Sequence, residues 1–185
     1  MSFSVGALPR PQTPAHQQNA TNDSRLRQYV WDLAGPWAFV GASVGAGVDQ
    51  LRDVPEEWDQ THGGYGRRLA SLAGRLAIQT TVTHGLAAAM NRPTSYPRCE
   101  CSGVGRRVRH ALLGTITDLR PDGGRTLALP RIGGVYAGTF TQLAWRPGNA
   151  DAGDALKSGT AFIVASAIQH LAREFLGAGI PILAH

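Results

Sequence analysis

Lysine is all but missing from this chain: of its 18 basic residues 17 are arginine, and Lys157 stands alone. A lone amine removes several lysine-based mechanisms, and no Ser-x-x-Lys arrangement occurs. Cysteine is nearly as scarce, with Cys99 and Cys101 only. One intervening residue is too little chain for an unstrained disulfide between them, so a disulfide scaffold is excluded and both read as loop cysteines without a role. No two of the six histidines, His16, His62, His84, His110, His170 and His185, have the i, i+4 spacing that places two zinc ligands on one helix face. Neither a metal nor a cofactor is expected. Long apolar runs are also absent. The uncharged run from Leu33 to Val48 falls short of the roughly 20 residues that span a bilayer, though it suits an interfacial segment. The first 25 residues lack the basic opening and apolar centre of an export signal, and the expected location is cytoplasmic, peripheral on a membrane.

What the chain has in quantity is glycine, alanine and arginine. With 23 glycines among 185 residues, helices here bury small groups and pack closely. Arginine forms bidentate contacts with carboxylates and phosphates and is less strongly hydrated than lysine, so it suits interfaces. The net charge of +5 is concentrated: Arg92, Arg98, Arg106, Arg107, Arg109, Arg120, Arg125 and Arg131 face only Glu100, Asp118 and Asp122 over residues 92–131. Such a face can meet an acidic protein surface, anionic lipid headgroups or nucleic acid. Binders of single-stranded nucleic acid interleave aromatics among their cations, and only Tyr96 lies nearby, so nucleic acid is the minor expectation.

The pattern predicts an all-α fold, a bundle of about five helices with Gly/Ala-rich packing faces. Residues 1–24, polar and proline-rich, read as an extended tail ahead of a single helical domain over residues 25–185. The first helix is expected from about Arg25 to Leu33, ending at Gly35-Pro36, and the second starts at Pro36. Asp49, Asp53, Glu56, Glu57 and Asp59 mark an acidic connector ending in a Gly63-Gly64 break, with its carboxylates solvated or paired with arginine. A long helix over about 65–90, another after Gly103 and a last over about 155–176 complete the bundle. TLALPRIGGVYAGTFTQLAW has the alternation that best supports a short strand or hairpin and is assigned to loop and helix. Gly41, Gly45, Gly47, Gly74 and Gly85 are the expected helix-packing glycines.

One pattern looks catalytic. Gly41-Ala42-Ser43-Val44-Gly45 matches the Gly-x-Ser-x-Gly elbow, but the elbow needs a strand-to-helix turn and these residues fall inside a helix. Glycines 41, 45, 47, 103 and 105 lack the Lys-Ser/Thr ending of a phosphate loop. No catalytic residue is assigned, and an enzyme is not expected.

Several pieces recur in order: GASVGAGVDQ, Trp58, GGYGRRLASLAGR, the loop at Tyr96-Pro97-Arg98, the helix from Arg106 to His110, and AIQHLAREF. From residue 36 to about 175 this order resembles a family of bacterial proteins, often envelope-associated, with a Gly-rich helix, a Trp and a Gly-Tyr-Gly-Arg-Arg-like element. The resemblance implies a shared architecture and no established activity. Its members commonly begin with an export signal, a point of departure here. The expected function is thus a non-catalytic accessory subunit of a larger, membrane-associated protein complex, for instance an energy-transducing one, meeting other protein subunits through its arginines and tail. The alternative is a small enzyme or ligand-binding protein with a pocket between the helices that begin near Tyr65 and Ala155, with His84, His110 or His170 as a working base.

Overall fold

A computed structural model describes residues 14–92, 94, 99, 101–119 and 124–176. Among them the fold is essentially all-α, as the composition leads one to expect: six helices and one minimal hairpin. Helix α1 (Pro14–Ala34) begins well before Arg25, so residues 14–24 are helical rather than extended. After Pro14 no glycine or proline interrupts the segment. Its far half is fastened to helix α3 (His62–Ala89) by Tyr29 and Thr81 hydroxyls 3.1 Å apart and by Asp32 with His84, and to the turn after α3 by Arg25 donating to Asn91 Oδ1 at 2.9 Å. Residues 1–13 lie outside the described part.

Helix α2 (Pro36–Leu51) starts where proline predicts, with Pro36 in the first turn, where a missing N–H costs nothing. Gly63-Gly64 is not a break. Thr61 caps α3, its hydroxyl accepting from the Gly64 N–H at 3.3 Å, and both glycines fall in the first turn. Helix α4 (Val104–Ile116) runs directly into strand β1 (Thr117–Leu119), which pairs antiparallel with β2 (Arg125–Leu127), Asp118 opposite Thr126. Helix α5 (Leu129–Gln142) and helix α6 (Ala152–Leu176) follow. The stretch with strand-like alternation therefore contributes one short strand and then a helix.

Helix α3 is the centre of the bundle, packed on α2, α5 and α1, while α6 lies on α4 and α5. The closest approach is made by α5, where a Cβ at Gly134 would run into Thr83 and one at Gly138 would stand 2.9 Å from the Arg75 carbonyl. Only glycine lets two backbones come this near. These were not among the expected packing positions. Of those that were, Gly45 is tight, a Cβ there meeting Leu72 at 2.9 Å, and Gly74 has Trp145 at 3.5 Å. Gly41, Gly47 and Gly85 face open space, which corrects their assignment. Ala70 and Thr81 of α3 are exposed as well.

Burial is inverted. The buried apolar side chains are mostly alanines, Ala42, Ala46, Ala87, Ala111, Ala128 and Ala155, joined by Leu72 and Val135. Arg68, Ser71, Arg75, Thr115, Thr139, Gln142, His170 and Glu174 are buried beside them, whereas Trp31, Trp37, Phe39 and Val44 are exposed.

Candidate functional site

The face of α3 turned into the bundle carries Arg68, Ser71, Leu72 and Arg75, with Gln79 and Thr83 continuing the same helical register. Arg68 is 1 % exposed and uses every donor it has. Its Nε donates to the Val54 carbonyl at 2.9 Å, Nη1 to Gln50 Oε1 at 2.7 Å and the Asp59 carbonyl at 2.8 Å, and Nη2 to the Pro55 carbonyl at 2.9 Å and Asp53 Oδ1 at 3.2 Å. The acidic connector is thereby wrapped around one guanidinium. Two turns on, Arg75 is 2 % exposed; it donates to Gln79 Oε1 at 2.7 Å and lies 3.4 Å over the Phe162 ring. No carboxylate bridges it among the described residues. Burial pulls its pKa down to about 10, against the pull of Asp49, itself raised by burial. Neither arginine was anticipated, although both sit in register with Leu72, a legible sign of an inward position.

Beyond Gln79 a cleft of about 320 Å³ opens between α1, α3, α5 and α6. Asp32 enters from α1, Gln79, Thr83 and His84 from α3, Arg131 from α5, and Gln169, His170 and Arg173 from α6. His84 Nε2 stands 3.0 Å from Asp32 Oδ2, and its ring meets Tyr29 edge-on at 5.5 Å. His170 is buried. The Thr115 hydroxyl donates to the Ala111 carbonyl at 3.0 Å and lies 3.3 Å from His170 Nδ1. Burial, and then the charges of Arg131 and Arg173, hold the His170 pKa down at about 4.

Of the expected arginine face, Arg106, Arg109 and Arg125 are exposed and Arg92 and Arg107 half-buried; Arg98 and Arg120 lie outside the described residues. Arg131 is turned inward, which corrects its assignment. Its Nη1 donates to the Gly114 and Thr115 carbonyls and its Nη2 to Asp118 at 3.3 Å, closing the carboxyl end of α4 where carbonyls lack helical partners.

No family model, curated protein or solved structure matches this chain. Its function is therefore read from the site. Ser43 lies within α2, half-buried, its carbonyl accepting from the Tyr65 hydroxyl at 3.3 Å. That is helix packing and gives no nucleophile elbow. His84 and His170 share the cleft, and His110 does not line it. Cys99 and Cys101 lie side by side with Cα atoms 5.1 Å apart and their sulfurs paired. The Cys99 N–H donates to the buried Glu174 at 2.9 Å, tying this loop to α6. Among the described residues no three His, Cys, Asp or Glu side chains are grouped to hold a metal ion, and no helix is long and apolar enough to cross a membrane.

Proposed function

We propose that this protein is a non-catalytic accessory subunit of a membrane-associated protein complex, docked through the outward face of α2. The observation that carries the reading is the orientation of that helix. Trp37, Val40, Val44, Val48 and Leu51 follow one another at intervals of three and four residues, which makes a single stripe, and all are exposed, Val44 by 63 % and Leu51 by 88 %. The opposite face puts Ala42 and Ala46 inside. An amphipathic helix of a self-sufficient domain is arranged the other way. Leu26, Val30 and Trp31 of α1 are also exposed, and a contiguous apolar surface of this kind marks an interface. No charged side chain precedes Asp49 in α2, so an apolar partner surface meets no unpaired charge there. Arg106, Arg109 and Arg125, exposed elsewhere, suit acidic protein or lipid surfaces.

Fractionation of the host cell tests this. The chain is expected to sediment with membranes and to leave them in detergent as a complex larger than one chain. Val40→Asp combined with Val44→Asp is expected to release it without lowering its thermal midpoint by more than a few degrees, since both positions are exposed. A wild-type chain that stays monomeric and free of membranes overturns the reading.

A further inference from the structure

The outward stripe of α2 reads the same in both directions. Counted from Val44, its exposed apolar side chains fall four and seven residues to either side: Val40 and Trp37 towards the amino end, Val48 and Leu51 towards the carboxyl end. Gly41 and Gly47 stand three residues to either side of the same valine, and a Cβ built at either meets nothing within 4 Å. A patch that pairs with its own copy about a two-fold axis must be self-complementary, residue i meeting j and j meeting i. An antiparallel pair of α2 helices crossing at Val44 satisfies this along its whole length. Val44 meets its own copy on the axis, Val40 meets Val48, Trp37 meets Leu51, and Gly41 meets Gly47, where two glycines leave room for the helices to approach closely. A bilayer or an unrelated protein asks for no such symmetry.

Charge and area agree with a copy as the occupant. The chain carries a net charge of +5, which two copies must bring together, and the stripe keeps charge out of the contact: Asp49, the one charged residue of α2, is half-buried and lies among Arg146, Arg68, Arg52 and Arg75 of its own chain. At each end the pairing sets the exposed Arg52 of one copy opposite Pro36 of the other, where Asp23 and Arg27 of α1 line the same hollow as Pro36. Asp23 is the acceptor there for Arg52 of the second copy. The 16 residues of α2 make a strip about 24 Å long and one helix diameter wide, short of the roughly 800 Å² per partner that a stable interface covers. The exposed Leu26, Val30 and Trp31 of α1 extend it, and the sum suits a dimer that forms at micromolar concentration.

We propose that the docking surface of α2 is taken by a second copy of this chain, the two α2 helices packing antiparallel about a two-fold axis through Val44. This rests on the reading of that face as an interface and names its occupant.

Sedimentation equilibrium of the purified chain is expected to show monomer and dimer exchanging at micromolar concentration. Val44→Asp places two carboxylates on the axis and is expected to weaken the dimer about thirtyfold or more, with the helical circular dichroism unchanged because Val44 is exposed. Thiol cross-linking reads the direction of packing. Cys99 and Cys101 are already joined, and cysteine fits at positions 41 and 47, where a Cβ meets nothing. A mixture of Gly41→Cys and Gly47→Cys chains is expected to cross-link, since the two positions lie level across the axis. Gly41→Cys alone is not, because six residues of rise hold its two copies about 9 Å apart along the helices, beyond the roughly 7 Å that a disulfide spans. A wild-type chain that stays monomeric through the micromolar range, or a Gly41→Cys chain that links to itself as readily as the mixture does, overturns the proposal. A monomer that still sediments with host membranes overturns the second copy alone and leaves docking through α2 standing. A dimer that stays out of the membrane fraction upholds the second copy and removes the membrane from the proposed function.

Discussion

Arg68 and Arg75 are the same residue on the same face of the same helix, two turns apart, and both are shut away from water. Their surroundings differ completely. Arg68 finds five acceptors, three of them backbone carbonyls of the 54–59 loop, whereas Arg75 finds one amide oxygen and an aromatic face. Burying a cation costs several kcal/mol, and hydrogen bonds and opposite charge must return it. At Arg68 the loop returns it by organising around the guanidinium. At Arg75 the return is partial: Nε has no acceptor among the described residues, and burial is felt as a lowered pKa. A buried arginine is therefore not one kind of feature. The number of acceptors decides whether it builds structure or merely survives within it.

The largest expected effect tests the first half of that contrast. Arg68→Met keeps the volume and removes five donors, leaving the Val54, Pro55 and Asp59 carbonyls and Gln50 with no partner from α3. A loss of about 4 kcal/mol in urea unfolding is expected. A loss under about 1 kcal/mol would mean that the loop holds itself, and the contrast would fail.

His170 extends the comparison to a group that can decline its charge. It lies between Arg131 and Arg173 in a buried place and stays neutral down to about pH 4, while in the unfolded chain it protonates near 6.5. The unfolded state thus binds a proton that the folded state refuses. Stability is unaffected above pH 6.5 and falls as the pH drops from 6.5 towards 4, by up to about 1.4 kcal/mol per pH unit. His170→Asn should flatten that slope in urea titrations at stepped pH. A slope that persists in the variant would assign the effect to other groups.

Local signals were legible in the sequence and long-range ones were not. Pro36 and the uncharged residues after it mark α2, and the helices of residues 65–90 and 155–176 are found within a few positions. Their composition is enough, because helix formation is largely local. The inward face of α3 escaped reading because its hydrophobic stripe is interrupted by Arg68 and Arg75, and a charge reads as outward unless its acceptors are known. Those acceptors are mostly backbone carbonyls of the acidic connector, whereas the expectation there, solvation or pairing with arginine, concerned its carboxylates, of which Asp53 does meet Arg68. Gly134 and Gly138 escaped because only the approach of α3 reveals their purpose. The cleft was half visible: His84 and His170 could be named and placed on the right two helices. Asp32, Arg131 and Arg173 join them through packing of α1, α5 and α6 that no local pattern encodes.

The second half of the contrast predicts the smallest effect. Arg75→Met should change stability by no more than about 1 kcal/mol, and in either direction. The variant loses the bond to Gln79 and the attraction of the guanidinium for Phe162, which at a desolvated ring is worth about 2 kcal/mol. It also releases the cost of holding a charge where no carboxylate bridges it, and methionine is flexible enough to fill the same space against the ring. The two terms are of similar size and oppose each other, which is the condition that Arg68 does not meet. If Arg75→Met were as damaging as Arg68→Met, Arg75 would have to be held by acceptors as complete as those of Arg68, and the distinction between the two arginines would disappear.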